Sequence, residues 1–291
     1  MKRVFYFLFV FSFPAILFSQ VNFRMGGPQT QIKYESLDNG VLRVFYQTKF
    51  VRDAANPESV GEDYMVLDIG EKGISRYYSD NRRRIDSIMN EIMKSGDPTR
   101  FDINTLRNSG ITSSGDSKEI FKNYPSGKFS VTDRIANSDY LYEEDKNIFT
   151  WQIEPDTREI LSYTCQKAVV DFRGRHYEVW FAPELPINDG PWKFSGLPGL
   201  ILAVEDAGKS FIFQAIGIEN YKNPVEFPKK DYVKTSRKEV EKIQKRFNED
   251  PAGYLTNSTP GARVIIKTVD QNGVERTGSE VKLPYNPMEL E

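Results

Sequence analysis

One histidine and one cysteine are all the imidazole and thiol that 291 residues carry. Any Ser-His-Asp or Cys-His arrangement would have to use His176, and the residues alternating with it, Glu178 and Trp180, form no nucleophile site. A zinc centre is an equally poor fit, because one His and one Cys leave only carboxylates to complete the usual ligand set. The single Cys165 rules out an intrachain disulfide, so stability must come from packing. Cys165 itself reads as a small buried apolar group on the Tyr163 face. Charge of one sign is also scarce: 39 Lys and Arg against 41 Asp and Glu give a net charge of −2. These charges are spread without blocks, which argues against a nucleic-acid partner.

Long hydrophobic runs are limited to the amino end. Met1–Gln20 has the layout of an export signal, with Lys2 and Arg3 before the apolar run Val4–Phe18 and Ser19 or Gln20 at the exit. Residues 1–19 are therefore read as a signal and 20–291 as one domain, periplasmic or secreted. No cysteine follows the run to carry a lipid, and no later run has the length of a membrane span. No Pro/Gly-rich linker or repeat divides the rest, and no cofactor signature is present.

Aromatic residues are abundant, with 20 Phe and 15 Tyr in a 13% aromatic chain, which leans toward β structure with wide buried faces. Val41–Val51 alternates, placing Leu42, Val44, Tyr46 and Phe50 on one face and Arg43, Gln47 and Lys49 on the other. Asp53–Asp63 reads as a charged loop, and Tyr64–Ile69 and Ile74–Tyr78 as short strands. Asp80 is the expected N-cap of a four-turn helix with Ile85, Ile88, Met89, Ile92 and Met93 on one stripe. Asp97–Ser117 is a polar excursion, after which short strands follow at Glu119–Tyr124, Lys128–Ile135, Tyr140–Glu143 and Phe149–Ile153. Arg173-Gly174 joins Ile160–Phe172 to Arg175–Ala182 as a hairpin. Ser236-Arg237-Lys238-Glu239 is a capping box opening a second helix that Asp250-Pro251 ends. Val264–Val269 and the Asn272-Gly273 turn suggest a last hairpin, and Leu283–Glu291 reads as a peripheral tail.

The chain is organised around Asn188–Asp206, where glycines and prolines stand beside an apolar run. Gly190 and Gly199 can take positive φ, and Pro191 and Pro198 fix φ, so that a tight turn leads into the strand Leu200–Val204. That strand and Ser210–Glu219 are apolar on both faces and must be covered on both sides.

Gly196-Leu197-Pro198-Gly199-Leu200-Ile201 resembles the hexapeptide of the GLPGLI family of exported Bacteroidetes proteins, also called the Porphyromonas gingivalis family. Trp151, Ile160–Ala168, Phe172–Arg175, Trp180–Pro186 and Gly190–Phe194 are similar to the same pattern. The Tyr-x-Cys strand, the turn and the Trp-Phe-x-Pro strand also resemble periplasmic proteins of the lipoprotein-carrier type. What this resemblance implies is a mainly β (α+β) fold, a single antiparallel open or half-closed β-barrel with two packed helices.

The function expected is that of a non-enzymatic binding or carrier protein, or an accessory of an outer-membrane protein, taking an apolar or extended peptide ligand. Trp180, Phe181, Trp192 and Phe194 are the candidate ligand-binding residues, because aromatic rings beside a rigid Gly/Pro backbone can line a groove. The same rings can also plug the end of the barrel. No catalytic or metal-ligating residue is assigned. The competing expectation is an exported hydrolase working with carboxylates such as Glu178 or Glu205, which requires two acids across a cleft. The acidic pairs Glu143-Glu144 and Glu205-Asp206 and the basic run Arg82-Arg83-Arg84 otherwise read as solvated turns and a solvated helix face.

Overall fold

The computed structural model describes residues 3–7, 32–95, 108–258, 262–269 and 275–291. Residues 8–18 of the apolar run of the expected signal, the leader after it, residues 97–107 of the polar excursion and the Asn272-Gly273 turn lie outside the described residues. A small sheet joins β1 (Arg3–Phe7), parallel, to β15 (Ala262–Val269), which also pairs with β16 (Glu275–Thr277).

The main sheet has thirteen strands. In chain order they are β2 (Lys33–Asp53), β3 (Asn56–Gly70), β4 (Ser75–Ser79), β5 (Glu119–Lys122), β6 (Lys128–Ile135), β7 (Ser138–Asp145) and β8 (Gln152–Ile160). They continue with β9 (Tyr163–Phe172), β10 (Arg175–Ala182), β11 (Leu200–Asp206), β12 (Phe211–Asn220), β13 (Pro224–Lys229) and β14 (Val233–Lys234). Across the sheet the order is β14-β7-β6-β5-β4-β3-β2-β12-β11-β10-β9-β8, with β13 paired to the first part of β2. The fold is mainly β, as the aromatic content and alternation indicated. The expected antiparallel open or half-closed barrel is corrected in its strand directions. The β14/β7 pair is parallel, so the sheet is mixed, and it is not closed: β8 and β14 remain its edges.

The long β2 and β3 arise because charge does not end a strand that has one wet face. Arg52, Asp53, Glu58 and Glu62 ride on the ladder, and the expected loop 53–63 shrinks to a turn at Ala54-Ala55. Two hairpins turn on left-handed residues, Leu161-Ser162 between β8 and β9 (φ 52 and 66) and Arg173-Gly174 between β9 and β10 (φ 44 and 78).

Three helices are described where two were expected. In α1 (Asp80–Lys94) the cap is Ser79, whose Oγ accepts from Arg82 N at 3.1 Å, one residue before the expected Asp80. In α2 (Arg237–Glu249) Ser236 Oγ accepts from Glu239 N at 3.3 Å, as the capping box requires, and Val240, Ile243 and Phe247 are buried. Asp250-Pro251 ends α2 but also starts α3 (Pro251–Ser258). Proline is pre-set for a first helical position, and Asp250 Oδ1 accepts from Gly253 N at 2.9 Å.

One core cluster draws on both halves of the sheet. It holds Val44, Tyr46, Ile120, Phe129 and Val131 from one side, Val179, Phe181, Val204 and Phe213 from the other, and the buried stripe of α2. The halves face each other across the segment 183–199. Phe194, fully buried, sits against Tyr177 and Trp192 at 5.0 Å and Phe149 at 5.4 Å between ring centroids. Burying a ring of this size contributes about 1.5–3 kcal/mol. Tyr46 OH donates to Ile201 O at 2.7 Å, tying β2 to the same segment. The expectation of strands covered on both faces holds for β11, whose Leu200–Val204 are all buried; β12 departs from it, since Ile216 is exposed.

The glycine logic of 188–199 differs from the expectation. Positive φ falls on Trp192 and Gly196, whereas Gly190 and Gly199 serve close approach. A Cβ on Gly199 would stand 2.3 Å from Ala182 O, and one on Gly190 2.7 Å from Ile201 Cβ. The expected peripheral tail is corrected as well: residues 281–291 cross the molecule and bond to Asn248, Arg173, Arg175, Tyr177 and Val51.

Candidate functional site

The four rings named from the sequence fall within one cluster of buried residues but do not share one face of the sheet. Alternation along β10 sends Tyr177, Val179 and Phe181 inward and His176, Glu178 and Trp180 outward. Phe181, Trp192 and Phe194 belong to the interior, 1%, 7% and 0% exposed, while Trp180 lies on the opposite face of the sheet at 8%. The turn Gly196-Leu197-Pro198 borders an open hollow of about 320 Å³ with Pro186 and Asn188, and none of these side chains is titratable. Gly199, Leu200 and Ile201 run from it into the buried β11.

Two buried ion-pair nodes hold the 183–199 segment. Lys122 Nζ donates to Asp189 Oδ1 at 2.6 Å and Gly190 O at 2.5 Å, and Ser75 Oγ donates to Asp189 Oδ2 at 2.5 Å. Burial pushes the Lys122 ammonium below its ordinary value against the pull of Asp189. Lys193, Glu144, Glu289 and Arg173 form the second node. Alternation alone places lysines on wet faces, so neither node could be found from sequence.

The outer face of β8–β11 is chemically richer. The register sets Lys167 opposite Trp180, Arg158 opposite Cys165 and Glu178 opposite Glu205. Trp180 Nε1 donates to Glu178 Oε1 at 3.1 Å, and Lys167 Nζ pairs with Glu178 Oε2 at 2.6 Å and Glu154 Oε2 at 3.3 Å. The Arg158 guanidinium lies 4.4 Å from the Trp180 ring centroid. Partial burial would raise the Glu178 carboxyl, but the bonds from Lys167 and Trp180 outweigh it and hold it below the usual range. Cys165 is fully buried on this side, its thiol pushed up to about 11 by burial, which keeps it protonated and inert at neutral pH. His176 is exposed and meets Asp171 at 2.7 Å. Among the described residues no group of three or more His, Cys, Asp or Glu converges as a metal site, and no helix is long and apolar enough to cross a membrane.

The two acids of the competing expectation are thus direct cross-strand neighbours. Side chains so paired have Cβ atoms about 4.5–5.5 Å apart. They stand on a sheet face beside a tryptophan ring and two cations, with one carboxylate held ionised. This arrangement can accept hydrogen bonds from hydroxyl groups and can supply an ionised base. Glu178 and Glu205 were singled out from sequence; Glu154, Arg158 and Lys167 were not. The Leu161-Ser162 turn, read as a hairpin, would have placed Arg158 across from Cys165.

Comparison with known proteins covers the stretch that includes this face. A family profile described as N-glycanase peptide, N-terminal domain, matches residues 98–246, which include all of β8–β11. Two solved structures of PNGF-II, in the C2 and P21 space groups, are 14% and 13% identical, each with a TM-score of 0.48. They cover 70% of this chain and 32% and 33% of their own, so the chain spans about a third of their length. No curated protein matches the chain.

The family match corrects the resemblance to GLPGLI proteins. The hexapeptide Gly196–Ile201 specifies a turn and a close backbone approach, demands that unrelated β folds can share, whereas the profile matches a continuous 98–246. The non-enzymatic carrier or outer-membrane accessory reading is corrected with it, because the matched family is named for an enzyme. Matched over just more than half of its length, the chain belongs to the family of N-glycanase N-terminal domains.

Proposed function

We propose that this chain works in the removal of N-linked glycans, as the N-terminal module of an N-glycanase-type hydrolase, and that the outer face of β8–β11 meets the glycan. The observation that carries this reading is the family match, which spans the face where a ring, two cations and paired carboxylates stand together. The long Arg158 side chain covers the Trp180 ring from an exposed position, so a sugar ring can take its place with little rearrangement of the sheet. Glu178, kept ionised by Lys167, accepts from sugar hydroxyls, and Lys167 and Arg158 donate to ring and carbonyl oxygens.

A second reading puts hydrolysis on the same face, favoured by the direct pairing of Glu178 with Glu205. Paired carboxylates are the minimum for acid and base work on a glycan, one kept ionised to activate water.

One experiment serves both. The full chain is titrated with a peptide bearing a neutral N-linked glycan and with its glycan-free counterpart, and the mixtures are followed by mass spectrometry. The glycopeptide is expected to bind at least about tenfold tighter, a preference lost in Trp180→Ala and Glu178→Gln. Equal affinity for the two peptides would end the first reading. Loss of glycan mass with wild type and not with Glu178→Gln establishes the second, and an unchanged glycopeptide mass rejects it.

A further inference from the structure

Beyond Val281 the chain is a strap without helix or strand. Leu283 N donates to Asn248 O at 2.8 Å, and Leu290 N to Arg173 O at 2.9 Å. Between these points one backbone bond, Ala54 N to Tyr285 O at 3.4 Å, and several side chains hold it. Arg175 Nη2 donates to Asn286 Oδ1 and Pro287 O at 2.8 Å, Tyr177 OH to Met288 O at 2.9 Å, and Asn286 Nδ2 to Val51 O at 2.9 Å. Pro284 and Pro287 have no N–H to give a ladder. No strap residue after Val281 is classed as buried, yet Tyr177 and Lys193 beneath it are 0% and 1% exposed. A cover that is half-exposed and laced by side chains is the kind of segment that opens before the sheet does.

The strap turns one charged side chain inward. The Glu289 carboxylate lies 2.8 and 3.0 Å from Lys193 Nζ and also pairs with Arg173. Lys193 Nζ stands 2.5 Å from Glu144 and 5.1 and 5.4 Å from the ring centroids of Trp192 and Tyr142. Arg173 reaches Glu144 at 2.8 Å and lies over the Phe172 ring. With the strap in place two cations face two carboxylates. Lifting it leaves two cations and one carboxylate in a recess walled by aromatic rings, a site short of one negative charge.

We propose that this recess is a binding site for a carboxylate-bearing sugar, filled in the free protein by Glu289 of the chain's own strap. The carboxylate half follows from the ion pairs; the sugar half rests on the N-glycan reading above. The ligand and the strap compete for Lys193 and Arg173, so affinity is reduced by the fraction of molecules in which the strap is closed. Acidic glycans would open the strap, and neutral ones would leave it shut.

The probes are glucuronate, glucose and acetate, titrated into the full chain, with hydrogen exchange of residues 283–290 as the second readout. Glucuronate is expected to bind and speed exchange across the strap, with glucose inert and acetate weaker. Asn286→Ala loosens the strap without touching the recess and is expected to bind glucuronate about tenfold tighter than wild type. Glu289→Gln should free the strap without ligand. Exchange that ignores glucuronate in both wild type and Asn286→Ala would overturn the proposal, as would glucose binding as well as glucuronate. Acetate matching glucuronate would remove the sugar half. The outer-face reading is tested with a neutral glycopeptide, so the two fail separately.

Discussion

Lys122 has no exposed surface, and its ammonium is met by one carboxylate and the Gly190 and Phe194 carbonyls, the latter at 3.3 Å. Removing one partner of a buried pair leaves the other uncompensated, which costs more than the pair contributes. Lys122→Ala is therefore expected to lose about 3–5 kcal/mol in urea unfolding with little change in slope, and pairing Lys122→Met with Asp189→Asn should recover part of it. Individual residues were legible from sequence where type alone decides. Cys165 packs as a hydrophobe and His176 stays on the wet side of β10, as alternation placed it. Lys122 and Lys193 were not legible, since a buried lysine is betrayed only by its partners. Those partners, Asp189 and Glu289, lie 67 and 96 residues away.

At the scale of elements, what was readable depended on how local the cause was. The Ser236–Glu239 box uses residues within one turn, and α2 begins where it says. Ser236→Ala is expected to cost about 1 kcal/mol, with Ser236→Asp close to wild type, as read by thermal unfolding. The hairpin turn at Arg173-Gly174 was equally local. Misreadings came from neighbours the sequence does not show. The charged stretch after Val51 is strand because β2 and β3 brace each other, and Leu283–Glu291 is a strap because Arg175 and Tyr177 receive it. The aromatic set Trp180, Phe181, Trp192 and Phe194 was correctly seen as ring-rich, but alternation sends Trp180 and Phe181 to opposite faces, and that split was already present in the register of β10.

For the molecule as a whole, the second ion-pair node sets an acid limit. Burial alone would raise the Glu144 carboxyl; Lys193 and Arg173 together bring it below its ordinary value. A carboxyl depressed in the folded state stabilises fully above its unfolded value, about 4.3, and that contribution is lost as pH falls through the folded value. Urea midpoints are expected to decline as the pH drops below this range, and Glu144→Gln should be less stable at neutral pH with a flatter acid limb. That β7, the β9–β10 turn, the 183–199 segment and the strap all meet at this node was beyond sequence reading, because no short-range pattern encodes which ends of a curled sheet face each other.

An unclosed sheet also bears on how the protein keeps company with its own kind. Among the described residues no strand pairs with the outer rim of β8, and such a rim is the usual seed of fibrous self-assembly. Pro155 withholds a donor, the pairing slips between Ile153 and Thr157, and Glu154, Asp156, Arg158 and Glu159 crowd the rim with charge. These features discourage edge-to-edge stacking while leaving the margin of the β8–β11 outer face unobstructed.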